Sequence, residues 1–506
     1  MLYGIIIASI TILYAACTVA YRLFLHPLAK FPGPKLAAAS KWYEAYFDLM
    51  KGPGGQFMHE INRMHDIYGP IVRINPDELH VKDSSWFDTL YCGPATGKRN
   101  KYKAAAHMTG TPDAIFGTVE HETHRRRRAA ISPFFSKAMT TSVEPLIYNK
   151  VKELCKTVQY QVSHYGHTEM RTNFLAFATD TVCEHTFADV ELCLLQSERK
   201  ANDWKKTIYT FTWILPIALK LPLDLLRKFF PSVAGIAEFR VTMEKKARQA
   251  TRRSRDHTKL KTSDHQLDLF DSILSSKSIP TDDKYAQRIA QEGFVVVVAA
   301  GETTARMLTN ALYHVLANRR TVLPELQREL TEAIPDPNTR VPLARLEKLP
   351  WLTAVIRESL RITALVASRL PLVCPDEPLA YRNWIIPSGT PIGMTLRDVL
   401  LDPSIFDGPS EFQPQRWIDT PSNGLEWMQN AYVPFGRGSR MCVGLNFAHA
   451  ELYLCLGYLF RISNLDLHNT TRRDVEITRD CFIGEVSAES KGIRVKFFDS
   501  PSQDPD

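Results

Sequence analysis

The stretch Phe435-Gly436-Arg437-Gly438-Ser439-Arg440-Met441-Cys442-Val443-Gly444 decides how the rest of the chain is read. A cysteine that serves a metal does so as thiolate, so its sulfur needs positive groups and backbone N–H donors around it. Those residue types surround Cys442. Arg437 and Arg440 bring charge, and Gly436, Gly438 and Gly444 let the backbone turn sharply and approach a flat partner. Downstream, Leu445, Ala448, Leu452 and Leu456 recur at helical spacing, which sets Cys442 just ahead of a helix whose N-terminal dipole favours an anion. On these residues alone Cys442 is a metal ligand, a nucleophile or an inert core thiol.

Three other segments stand out. From Gln291 to Thr304 the chain is apolar on all sides over Phe294 to Ala300, then abruptly polar at Glu302, Thr303 and Thr304. Four consecutive valines fit a strand as well as a helix, but the helical pattern from Tyr285 to Leu316 decides for a buried helix. Acids and hydroxyls inside such a helix are costly unless paired, which flags Glu302 and Thr303 as functional. Leu349 to Arg361 reads as an amphipathic helix with proline in its first turn, and Glu358 and Arg361 share a face. On its own such a pair carries only about 0.2–0.5 kcal/mol and occurs by chance. His121 to Arg128 ends in four arginines, a solvated or docking face as a run, although His124 and Arg128 stand four apart on one side.

Composition bounds the rest. With 506 residues, 44% hydrophobic and 23% charged, the chain is ordinary globular protein, and its nine cysteines show neither disulfide nor zinc spacing. A net charge of +7 without an aromatic stacking pattern or a recognisable module gives no case for nucleic acid. Leu2 to Ala20 carries no charge and has about the length of a bilayer core, with Arg22, Lys30 and Lys35 following. The charge placement keeps the bulk of the chain cytosolic, and the missing basic n-region favours an uncleaved anchor over a cleaved signal. Phe31-Pro32-Gly33-Pro34 then forms a semi-rigid hinge. The expected organisation is an anchor over 1–21, a linker and hinge over 22–36, and one catalytic body over 37–506. Within the body we expect a hairpin at Ile71–Ile74 and Glu78–Val81, a long loop from Gly93 to Gly117, and a final hairpin around Phe482 flanked by Val475–Ile477 and Ile493–Val495.

Phe-x-x-Gly-x-Arg-x-Cys-x-Gly resembles the haem-thiolate loop of the cytochromes P450, and the other segments fall in that family's order. The resemblance implies a mainly α fold with small β-sheets behind an N-terminal transmembrane anchor. It implies haem b, with Cys442 as axial iron ligand and with Phe435 and Arg440 beside it. His124, standing where the family has tryptophan, would join Arg128 and Arg369 at the haem propionates. Glu302-Thr303 matches the acid–alcohol pair of oxygen activation, although Ala300 replaces a common glycine. Glu358, Arg361 and Arg416 would form a structural ion set behind the loop, with Gln415 replacing an acid. Ile115, Phe116, Trp213, Leu365, Val366 and Phe482 are the expected substrate wall.

The implied activity is insertion of one oxygen atom from O2, by hydroxylation or epoxidation, into a hydrophobic secondary metabolite. Electrons would come from NADPH through NADPH–cytochrome P450 reductase, with cytochrome b5 as a further donor, because the chain has no nicotinamide fingerprint of its own. The implied address is the endoplasmic reticulum membrane, single-pass, with the catalytic domain cytosolic. His26–Pro34 and Tyr68–Pro76 further resemble filamentous-fungal P450s of secondary metabolism, the group that includes trichodiene oxygenase. That likeness favours a terpenoid. An indole alkaloid or polyketide is the alternative substrate, and an isomerase or dehydratase that uses no O2, or a haem sensor, the alternative function.

Overall fold

The helix Ala286–Ala317 runs 32 residues through the interior, and the other helices are laid around it. Its four valines are weak helix formers, but burial on several sides outweighs that preference. Met170–Thr186 and Val233–Arg255 pack along it, followed by Pro350–Thr363 and Leu445–Ile462. At Gly301 the approach of Met170–Thr186 is close enough that a Cβ would lie 2.6 Å from Thr179 Oγ1, so only glycine fits there. The computed structural model describes residues 2–93, 96–187, 192–218, 233–255, 268–420 and 422–498.

The β structure is small and divided among four short sheets among the described residues. One sheet runs in the order Ile71–Arg73, Leu79–Val81, Pro391–Gly393, Leu372–Val373, Asn100–Lys101, antiparallel except between Leu79–Val81 and Pro391–Gly393. The expected first hairpin is thus present, and the long loop after Gly93 contains a two-residue strand and the short helix Lys103–Ala106. The final hairpin is narrower than expected. Arg479–Cys481 pairs with Ile483–Glu485 around Phe482, whereas Val475–Ile477 forms no strand and Arg494–Phe497 joins Leu465–Leu467 and Thr168–Glu169. Val475 and Ile477 bury their side chains against the core instead of pairing their backbone.

At the N-terminus, Tyr3–Leu25 is long and apolar enough to cross a membrane, and none of it is buried. The proline hinge that follows is fastened to the body. Arg73 donates its backbone N–H to Pro32 O at 2.7 Å and an Nη1 hydrogen to Arg22 O at 2.8 Å, and Phe31 stacks on Trp384 at 4.9 Å.

The helix Pro350–Thr363 carries the ion set. Glu358 accepts from Arg361 at 2.7 and 2.9 Å, from Arg416 at 3.2 Å, from Gln413 N at 3.0 Å and from Trp417 Nε1 at 2.9 Å. Arg361 spends its remaining donors on the carbonyls of Leu400, Pro409 and Glu411. Both charges have no solvent exposure, and burying an ion pair is tolerable only with such complete satisfaction. Asp48 is different. It sits beside Asp480 and Glu44, and burial, with those two acids adding, pushes its carboxyl up to about 7 against the pull of Arg369.

Two outcomes are expected. Glu358→Ala strands Arg361 and Arg416 in the interior and costs about 3–5 kcal/mol, read as loss of folded, cofactor-loaded protein. Folded Asp48 holds a proton that the unfolded chain releases, so its stability contribution falls as pH rises from about 4 to about 7; Asp48→Asn flattens that part of the curve of thermal midpoint against pH.

Candidate active site

Cys442 faces a cavity of about 360 Å³, bounded by its own loop, the central helix, the Ile115–Phe116 corner, Leu365–Leu372 and the hairpin tip at Phe482. The loop is set by two left-handed glycines, Gly436 at φ 70° and Gly438 at φ 75°. At Gly438 a Cβ would meet the carbonyl oxygens of Tyr91 and Cys92 at 2.3 Å, so the loop lies directly on the segment after Phe87. Arg437 anchors it there, donating to both carboxylate oxygens of Asp88 and to Asn430 O. Cys442 N–H donates to Phe435 O at 3.0 Å. Arg128 donates to Met441 O at 2.6 Å, next to the thiol. Burial pushes the Cys442 thiol up, while the Gly444 N–H and Arg128 favour the thiolate.

Cations collect at one end of the cavity. Lys101, His124 and Arg440 all line it, and neither Lys101 nor Arg440 forms a salt bridge with a carboxylate among the described residues. Arg440 donates to Thr118 O and Val119 O, and its buried Nε has no partner. Lys101 Nζ donates to Phe116 O at 2.9 Å and lies over the Phe116 ring. Burial drives all three groups towards neutrality: Lys101 falls well below its ordinary value, His124 is lowered with Arg440 and Arg128 adding, and Arg440 drops to about 10 with Arg128 adding. Buried donors of this kind, which would regain positive charge beside a carboxylate, fit an anionic group in the cavity. The residues suit haem: one soft sulfur ligand opening onto a flat apolar space, and cations at its edge for two carboxylates.

Arg369 is not among them. It is enclosed between Glu44 at 2.8 Å and Glu78 at 3.1 Å, away from the cavity, so the expectation that it meets a propionate is corrected by partners close enough to satisfy it. The tetra-arginine run divides. Arg125 and Arg126 are exposed, whereas Arg127, expected to face outward, is buried against Asp283.

On the central helix, Val295, Ala299 and Thr303 follow one another at intervals of four and form the wall opposite Cys442. Thr303 Oγ1 donates to Ala299 O at 2.8 Å. Glu302, about 100° further round the helix, does not line the cavity. Its Oε1 accepts from Arg171 at 2.5 Å and Arg306 at 2.7 Å, and Arg306 also binds Glu485 and Gly484 O of the hairpin. Although burial works to raise it, Arg171 and Arg306 hold this carboxyl below its usual value. The expected acid and alcohol are therefore neighbours in sequence that face different structures. The acid that does reach the cavity is Glu451, fully buried, accepting from Thr304 Oγ1 at 3.0 Å, its carboxyl pushed well above the usual value by burial.

Ile115, Phe116, Leu365, Val366 and Phe482 all line the cavity. Phe116 and Phe482 meet edge to face with centroids 5.5 Å apart, and Phe482 sits at φ 73° at its hairpin tip. Trp213, the sixth expected wall residue, falls outside the described side chains. Lys101 and Glu451 were not anticipated. Lys101 lies in a two-residue strand, too short for any periodicity, whereas Glu451 carried a usable signal as the lone acid in the apolar run Leu445–Phe460.

A family model described as Cytochrome P450 matches residues 42–497. Among curated relatives, a cytochrome P450 monooxygenase of Cochliobolus heterostrophus is 35% identical over 96% of this chain and 95% of its own length. A tryptophan 6-hydroxylase of Fusarium equiseti is 37% identical over 94% and 93%, and an N-acetyltryptophan 6-hydroxylase of Emericella nidulans is 34% identical over 96% of each.

Cys442→Ser is expected to abolish the thiolate signature of the reduced, carbon monoxide-bound haem; an unchanged spectrum would remove Cys442 from its role. Lys101→Ala is expected to lower haem retention on dilution while leaving that signature in the fraction still loaded.

Proposed function

The chain belongs to the cytochrome P450 family, and from that premise we propose that it hydroxylates a flat aromatic ring of a fungal secondary metabolite held between Thr303 and the Phe116–Phe482 pair. Its relatives are fungal monooxygenases, and the family uses haem iron with electrons supplied by a reductase partner. When bound, haem supplies the oxygen-activating chemistry, and this chain's residues supply its setting. Gly444 N–H and Arg128 favour negative charge on Cys442 Sγ, and Lys101, His124 and Arg440 would hold the carboxylates of the group. The apolar wall from Val295 to Ala299 excludes water, so a proton reaches the cavity through placed groups. Proton handling is assigned to Thr303 Oγ1, which lies in the wall; Glu302 joins it only when its contacts with Arg171 and Arg306 open. Retention of Thr303 in the wall favours oxygen chemistry over an isomerase or dehydratase.

The observation that carries the aromatic reading is the perpendicular pair of rings at the cavity, a surface that receives another ring edge to face or offset. Two relatives are named for tryptophan and N-acetyltryptophan hydroxylation, which supports it. A terpenoid, favoured by the trichodiene-oxygenase likeness, is the second substrate class that the test below includes. For the address we propose the endoplasmic reticulum membrane with a cytosolic body, on the strength of the exposed apolar helix Tyr3–Leu25. NADPH–cytochrome P450 reductase, and cytochrome b5 as a second donor, are the proposed electron sources, with exposed Arg125 and Arg126 suited to their acidic surfaces.

Co-expression with a reductase, followed by product analysis on tryptophan, N-acetyltryptophan, aromatic polyketides and sesquiterpene hydrocarbons, is expected to show NADPH- and O2-dependent gain of one oxygen on an aromatic ring. Oxidation of the terpenes alone would reverse the substrate reading. Thr303→Ala is expected to cut product on the order of a hundredfold while NADPH consumption continues; coupled turnover at the native rate would move the proton step elsewhere.

A further inference from the structure

Glu292 has no solvent exposure and no place in the cavity wall, yet it belongs to a set of charges that are buried except for the partly exposed Asp283. Its two carboxylate oxygens both accept the backbone N–H of Ile115, at 2.9 and 3.0 Å, and Oε1 also accepts from Arg288 Nη2 at 2.9 Å. The preceding residue, Gln291, exchanges two hydrogen bonds with Asp113, receiving its N–H at 2.9 Å and donating to Oδ2 at 3.1 Å. From the helix His121–Ile131, Arg127 donates to Asp113 O and Thr118 Oγ1, both at 2.8 Å, and forks onto Asp283 at 2.9 and 2.5 Å. Arg288 Nε approaches the same Asp283 at 3.6 Å. Two arginines and two acids from three segments thus fix one short piece of chain, residues 113–118.

That piece carries Ile115 and Phe116 into the cavity. The opposing ring, Phe482, is held by a second buried set, in which Arg306 donates to Gly484 O at 2.8 Å and is itself paired with Glu302 and Glu485. Both jaws are therefore referred to one rigid element, the helix Ala286–Ala317, through acids ten residues and about 15 Å apart along it. Desolvating so many charges is costly, and a loop needs no such set merely to close over a core.

We propose that Glu292 is a specificity-determining positioning residue: by fixing the Ile115–Phe116 corner it sets the opening between Phe116 and Phe482, and so the size and flatness of the ligand admitted. The inference rests on the cavity being the oxidation site. Without the Glu292 carboxylate, Ile115 N–H loses its acceptor and Arg288 keeps only Asp283, so the corner can shift about its remaining ties at Asp113, Phe116 O and Thr118. Large ligands that touch Phe116 respond, and small ligands that reach only the cofactor do not.

The test uses the full-length, haem-loaded protein and two nitrogen ligands followed by the haem absorption shift. Imidazole is small enough to pass the jaws in any setting, and 4-phenylimidazole carries a flat ring between them. For Glu292→Ala we expect imidazole affinity unchanged and 4-phenylimidazole affinity altered by about tenfold or more. Added to Phe116→Ala, the same change should have little further effect, because the ring it positions is gone. Equal changes for both ligands, or additive effects in the double variant, would overturn the proposal. If Glu292→Ala does not give loaded protein, Glu292→Met carries the same comparison, since it fills similar space and offers Ile115 N–H no oxygen to accept its hydrogen. No haem shift with imidazole on the native protein would count instead against the cavity as the cofactor site.

Discussion

A thiolate removed from water must be compensated locally or it takes up a proton, and that requirement at Cys442 shapes much of the molecule around it. A fixed cation at contact distance would draw off the electron density that an iron-bound sulfur would donate. Stabilisation comes from weaker, oriented sources: the Gly444 N–H, the start of the helix Leu445–Ile462, and Arg128 reaching Met441 O rather than the sulfur itself. Those sources act only if the loop keeps its shape. The left-handed turns at Gly436 and Gly438 fix that shape, and the close seat of Gly438 on Tyr91 and Cys92 holds it in place. The saturated ion set at Glu358 ties the long segment before the loop to the core.

The central helix meets a different demand on each side. Toward the cavity it shows small and apolar residues with one hydroxyl, Thr303. Toward Met170–Thr186 it gives up a side chain at Gly301 to let the helices close. Toward the loop and hairpin it offers carboxylates, Glu292 and Glu302, each matched by arginines. One element thereby fixes the positions of the sulfur-facing wall and of both substrate-facing corners.

Features legible in the sequence were those whose chemistry is local. Cys442 with its glycines and arginines, the three-residue spacing of Glu358 and Arg361, and the apolar run before Thr303 all lie within a few residues of what explains them, whereas Arg128, expected beside His124, turns to Met441 O and does not line the cavity. Directions set by distant partners could not be read. Glu302 turns from the cavity because Arg171, 131 positions earlier, waits behind it, and Arg369 is captured by Glu44 and Glu78 from the far end of the chain. Arg127 looked like one of four solvent-facing charges until Asp283 came to it through the fold. Lys101 reaches the cavity only because a five-stranded sheet carries its short strand there.

Phe116 and Phe482 are separated by more than half of the chain, yet each is attached to the same helix by its own set of charges. Selection can therefore act on one jaw at a time. On that proposal a substitution in the hairpin after Arg479 would alter which molecules enter without touching the sulfur loop, whereas one near Asp113 would also reach Lys101 and Arg440, which hold Phe116 O and Thr118 O. A lineage built this way can change its diet while keeping its engine, and its descendants would diverge at the mouth long before they diverge at the metal.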